Sequence, residues 1–245
     1  MRYLLLCLLL TLGPATMAEP WKVVGDEQFA PYSFAASHDA TPQGLDVELV
    51  STVLQAAGID YELRLYPWQR VKRMLEQGGV DMAFQFAGTA ERHAQYLLVG
   101  PIRTGSTVFM AAHKSALGDW QQLSDLEPYV IGQVKGYAYD TDYDQAPLKR
   151  DSSAQSPRQL VSMLLAGRVD LIVGDRVQLL HYARELGAED KVRILPRPLA
   201  HMPRFVAFAK NDQERAARFA AALHLLQRLG RLEAIYQRWG QPPQS

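Results

Sequence analysis

The sequence is poor in the residues that staple small scaffolds and arm many active sites. One cysteine, Cys7, occurs in 245 residues, which excludes a framework of internal disulfides. Charge of one sign is not in excess either. Lys and Arg number 26 against 26 Asp and Glu, so the basic footprint expected of a nucleic-acid binder is missing. No G-x-S-x-G, S-x-x-K, H-E-x-x-H, P-loop or G-x-G-x-x-G pattern occurs, and the six histidines show no metal-ligand spacing. These absences point away from familiar hydrolases, nucleotide enzymes and metalloenzymes, and no cofactor or metal is implied. What is present is an ordinary folding composition, 48% hydrophobic and 21% charged, in a length that suits one large domain or two of roughly 100 residues.

Residues 1–18 have the layout of a secretory signal: Arg2, an apolar run over 3–12, the breaker Gly13-Pro14, and small residues Thr16 and Ala18. The run is shorter than the roughly 20 residues that span a bilayer. Cleavage is expected after Ala18, with delivery to a bacterial periplasm. It would remove Cys7 and Arg2, leaving a chain with no thiol and one more acid than base.

From there the patterning alternates. Strands are predicted over 21–24, 61–65 and 80–86, with helices over 45–57 and 68–75 stopped by Gly58 and Gly78-Gly79. The pattern returns with strands at 129–133 and 170–173 and helices at 157–165 and 177–186, stopped by Gly167 and Gly187. Two α/β units follow. Two extended apolar segments, 107–112 and 205–209, read as paired crossings between them, and a helical tail over 214–239 breaks near Gly230. The expected organisation is therefore lobe 1 over 19–108 and 206–245, lobe 2 over 112–202, and hinges near 109–111 and 203–205. A chain that crosses twice leaves a cleft, where small-molecule sites usually form.

The order of short segments then carries a resemblance. Gly25-Asp26-Glu27-Gln28-Phe29-Ala30-Pro31-Tyr32-Ser33-Phe34, Gly44-Leu45-Asp46-Val47-Glu48-Leu49, Pro67-Trp68, Gly78-Gly79-Val80-Asp81, Thr89-Ala90-Glu91-Arg92, Gly167-Arg168-Val169-Asp170 and Ile235-Tyr236-Gln237-Arg238-Trp239-Gly240 together resemble the bacterial extracellular solute-binding proteins of family 3. The resemblance covers almost all of the chain after residue 18. It implies a two-lobed periplasmic-binding-protein fold of type II, joined by two β-strand hinges and closing on its ligand. It also implies a monomer that captures a small zwitterionic, amino-acid-like solute for an inner-membrane ABC permease, or for a sensor.

The resemblance assigns roles that other readings of the same residues contest. Arg92 would grip an α-carboxylate with its planar fork, although spacing alone reads it as a solvated helix arginine. Thr89 would add a hydroxyl and Ala87 backbone groups, where the family commonly has T-x-T-P-E-R and this chain has Ala87-Gly88-Thr89-Ala90-Glu91-Arg92. Asp175 would receive the ammonium, and it is equally an N-cap. Phe29 and Trp68 would sandwich the aliphatic part, and each could instead be core. Asp26 would meet the far end of the ligand, or bond its own turn. Backbone N–H groups of Tyr137 and Ala138 would meet the carboxylate, with Tyr137 bulkier than the family's usual small residue. An enzymatic alternative, a cyclohexadienyl or arogenate dehydratase on the same fold, would need an acid such as Glu27 or Asp175.

Overall fold

A computed structural model describes residues 19–37 and 40–241; the expected signal segment lies outside these residues. The chain runs β1 (Trp21–Asp26), β2 (Gln28–Phe29), β3 (Ser33–Phe34), α1 (Leu45–Ala56), β4 (Tyr61–Tyr66), α2 (Trp68–Glu76), β5 (Met82–Ala87), α3 (Ala90–Gln95) and the long β6 (Tyr96–Ala112). It continues through β7 (Ile131–Val134), α4 (Thr141–Gln145), β8 (Arg150–Ala154), α5 (Pro157–Leu165), β9 (Leu171–Asp175), α6 (Arg176–Glu185), β10 (Val192–Ile194), β11 (Ala200–Ala209), α7 (Gln213–Arg228) and α8 (Glu233–Arg238).

The α/β alternation expected from the sequence is present, and its wiring repeats. Parallel strands lie in the order β4-β1-β5 in one lobe and β8-β7-β9 in the other, so each lobe places its first strand between its second and third. The local causes are legible. Leu45, Leu49, Val50, Val53 and Leu54 give α1 a stripe that is buried against the sheet. Ser156 caps α5 through the Gln159 N–H, with Pro157 at the first helical position. On β1, Gly25 leaves room for the Phe84 ring, which stands 2.2 Å from where a Cβ would be.

The two lobes are joined by β6 and β11, which pair antiparallel from Tyr96 opposite Ala209 to Thr107 opposite Ala200. At Thr107 strand β6 changes partner and runs on beside β9. Residues 109–111, expected near a hinge, pair with β9 and β10, and Phe109, Met110 and Ala111 are fully buried there. Residues Pro203 and Arg204 pair with Thr104 and Arg103, beside an irregularity in register at Phe205. The sheet is thus continuous across the molecule.

Four apolar clusters fill the two faces of the two lobes, and the Tyr137 ring packs against all four. Among the described residues no helix is long and apolar enough to cross a membrane.

Candidate functional site

Two elements of lobe 1 and one turn of lobe 2 converge on a cavity. Strand β1 ends in Asp26, helix α2 begins with Trp68, and the turn after β7 presents Tyr137 and Ala138. Together with Phe29, Gln85, Arg92 and Arg204 they line a space of about 10 Å³ between the lobes, room for roughly one water molecule. Asp26, Phe29, Trp68, Arg92, Tyr137 and Ala138 of the sequence-based candidates thus share one cavity; Ala87, Thr89 and Asp175 do not line it.

The cavity is small because Tyr137 occupies it. Its hydroxyl donates to Asp26 Oδ2 at 2.5 Å, and its ring meets Phe29 and Trp68 edge-on at 5.8 and 6.3 Å. Other bonds cross the same seam: Trp68 Nε1 to the Gly136 carbonyl at 3.2 Å, Gln69 Nε2 to the Lys135 carbonyl at 2.8 Å, and the Tyr182 hydroxyl to the Gln28 carbonyl at 3.2 Å. Burial pushes the Asp26 carboxyl up to about 6, against the opposing pull of the Tyr137 hydroxyl and the Gln28 N–H. Burial and the adjacent Asp26 hold the Tyr137 hydroxyl well above its ordinary range, so it stays a donor.

Arg92 sits on α3, which Thr89 caps by accepting from the Arg92 N–H at 3.3 Å. The Thr89 hydroxyl oxygen therefore serves the helix end. Ala87 closes β5 with its side chain fully buried, and the Tyr137 N–H is spent on the Val134 carbonyl. The Arg92 guanidinium lies 5.4 Å over Trp68 and 5.3 Å over Phe86. Burial, then the nearby Arg204 charge, lowers its pKa to about 10.

Asp175 finds its partners away from the cavity. Its Oδ1 caps α6 through the Val177 and Gln178 N–H groups and accepts the Tyr32 hydroxyl at 2.9 Å. Its Oδ2 lies 4.0 Å from Arg103 Nη1. Gly105 makes this possible: a Cβ there would stand 2.4 Å from Asp175 Oδ2 and 3.2 Å from Arg103 Nη1.

Three groups of this site went unread in the sequence. Arg103 is clasped by Asp46 at 2.6 and 3.1 Å and lies 3.4 Å over the Tyr32 ring; burial opposes its charge, but Asp46, Tyr32 and Asp175 together outweigh it and the pKa rises. Arg204, its cross-strand partner on β11, has no carboxylate in ion-pair contact among the described residues, and its Nε is buried without a hydrogen-bond partner. Burial, then the Arg103 charge, lowers its pKa. Gln85, at a φ of 76°, accepts the Asp26 N–H and donates to Ser33 and Asp46. One signal was available for Arg204, a cation inside the apolar run 202–208.

The architecture, two lobes of matching strand order joined by paired strands, is matched by comparison with known proteins. The family description "bacterial extracellular solute-binding proteins, family 3" fits residues 21–242. The chain belongs to that family. A relative, the L-cystine-binding protein TcyA of Bacillus subtilis (strain 168), is 20% identical over 220 residues, covering 88% of this chain and 80% of TcyA. Among solved structures, the family fold is matched by a histidine kinase sensor domain similar to periplasmic binding proteins, with TM-score 0.79 and 24% identity over 90% of this chain and 96% of that one. It is also matched by the arginine-, lysine-, histidine-binding protein ArtJ of Geobacillus stearothermophilus, with TM-score 0.78 and 25% identity over 92% and 97%. The fold is the type II periplasmic-binding-protein fold. Among the described residues no group of three or more His, Cys, Asp or Glu is placed to hold a metal ion.

Proposed function

We propose that this protein captures a small amino-acid-like solute in the interlobe cleft, in the periplasm, and hands it to an inner-membrane ABC permease. The observation that carries the reading is Arg92, a buried arginine that lines the cavity and has no ion-pair partner among the described residues. A guanidinium in that state is completed by a ligand carboxylate through two parallel charge-assisted bonds. The names of the relatives support the amino-acid class, since TcyA binds L-cystine and ArtJ binds arginine, lysine and histidine.

The 10 Å³ left in the cleft cannot hold an amino acid, so capture requires the Tyr137 hydroxyl to release Asp26 and the lobes to part. Binding then swaps protein bonds across the seam for ligand bonds, and the ligand selects a closed form with itself inside. Release of Tyr137 also bares Asp26, the acid that faces the cavity, while Asp175 keeps its cap and its arginine.

Titration calorimetry of the chain from residue 19 against amino acids tests the reading. A ligand in the micromolar range, about 8 kcal/mol, is expected, with Arg92→Ala abolishing it. Tight binding untouched by that change would move the site elsewhere. Co-purification with a permease, rather than with a histidine kinase, separates uptake from sensing.

A further inference from the structure

Arg204 is, with Arg92, a buried cation that has no ion-pair partner among the described residues. It lines the cavity beside Arg92, is 8% exposed, and keeps a buried Nε with no partner. Its guanidinium lies 5.5 Å from the Phe29 ring centre. Of the carboxylates in its field, Asp175 and Asp46, Asp46 is hydrogen-bonded to Arg103 and Asp175 lies 4.0 Å from Arg103 Nη1. The cavity wall therefore presents two arginines against one acid, Asp26, whose carboxylate is itself bonded to Tyr137. Glu91 and Asp144 offset Arg92 only from exposed positions, and Lys72 nearby adds a further positive charge. Two uncompensated buried cations side by side are costly in the empty protein. A ligand with one carboxylate would complete Arg92 and leave Arg204 as it is.

We propose that Arg204 is a second anion-binding residue of the cleft, and that the ligand is a small dicarboxylate, one carboxylate on Arg92 and the other on Arg204. An amino group on that ligand would meet Asp26, freed from Tyr137, rather than Asp175. The proposal rests on the interlobe cleft being a capture site.

Calorimetry and thermal shift with the chain from residue 19 test it, using L-glutamate, L-aspartate, succinate and glutarate against L-glutamine, L-arginine and L-cystine. A dicarboxylate is expected to bind at least about tenfold more tightly than glutamine. Arg204→Met should weaken that dicarboxylate about 10- to 100-fold, change monocarboxylate binding little, and melt at or above the wild type because a buried unpaired charge is gone. Arg204→Lys, which keeps charge without the fork, should fall between. Should Arg204→Met not fold, the wild-type panel and the lysine variant decide. Preference for a monocarboxylate with Arg204→Met or Arg204→Lys indifferent overturns the role of Arg204 and leaves capture standing. No binding by any compound overturns both.

Discussion

Two arginines face each other across one pair of strands, and their surroundings could hardly differ more. Arg103 on β6 is held by both oxygens of Asp46, approached by Asp175, and stacked on Tyr32. Arg204, directly opposite on β11, shares the Phe29 ring with it but has no acid of its own. Cross-strand partners leave the same face of a sheet, so backbone position does not separate them. What separates them is whether the fold supplies the counter-charge. Where it does, the arginine ties the loop of β2 and β3, helix α1 and the crossing strand into one body. Where it does not, a positive charge is left in the cleft.

The sharpest way to break this comparison is to remove each arginine in turn. Arg103→Met strands the buried Asp46 carboxylate and should cost about 3–5 kcal/mol in urea unfolding, whereas Arg204→Met should cost nothing. Equal losses would erase the distinction.

The acid side of the cleft gives the next effect. Asp26 titrates near 6 in the folded chain and near 3.9 when unfolded, so the folded state holds the proton more tightly between those values. Stability should therefore fall as pH rises from about 4 to about 6.5 and then level off. The titratable groups next to Asp26 are Tyr137, Tyr182 and Glu27, and Arg92 and Arg204 line the same cavity. Asp26→Asn lacks this step. Its stability relative to wild type should improve by up to about 3 kcal/mol across the window, as read from paired melts at each pH.

Tyr137→Phe removes the donor to Asp26 while keeping most of the ring packing, and a loss of about 1–2 kcal/mol is expected. The pH step should also move upward, because the bond that favours the carboxylate is gone. The smallest effect belongs at the surface. Arg158 and Glu185 meet at 2.8 Å with side chains 56% and 44% exposed, and Arg158→Ala should cost less than about 0.5 kcal/mol. A larger value would mean that burial is not what distinguishes Arg103.

The α/β grammar could be read from the chain because its cause is local: apolar spacing along 45–57 and 157–165, with glycines at the stops. Strand β6 was legible only in its second half. Only 107–112 carries an extended apolar pattern; Gly100-Pro101 and Thr104-Gly105 carry none, yet β11 holds them as strand through pairing about 100 positions away in sequence. The aromatic and acidic lining of the cleft was visible as motif. Arg103 was not, because its partner Asp46 lies 57 positions earlier and nothing local marks it. Asp175 could be read as cap or ligand acid from sequence, and the structure shows the cap, with Tyr32 and Arg103 completing its partners.

Gly105 makes three positions of this chain depend on one another. The charges of Asp175 and Arg103 fill the volume its missing side chain would take, so an alanine there and a shortened partner are not independent changes. Gly105→Ala alone should be harmful, and harmful to a lesser degree once Asp175 is already Ala, a departure from additivity that a double-mutant cycle reads directly. Drift at residue 105 is thus conditional on drift 70 residues downstream. Such a glycine marks a place where substitutions must arrive in order, the charged partner first and the methyl group second.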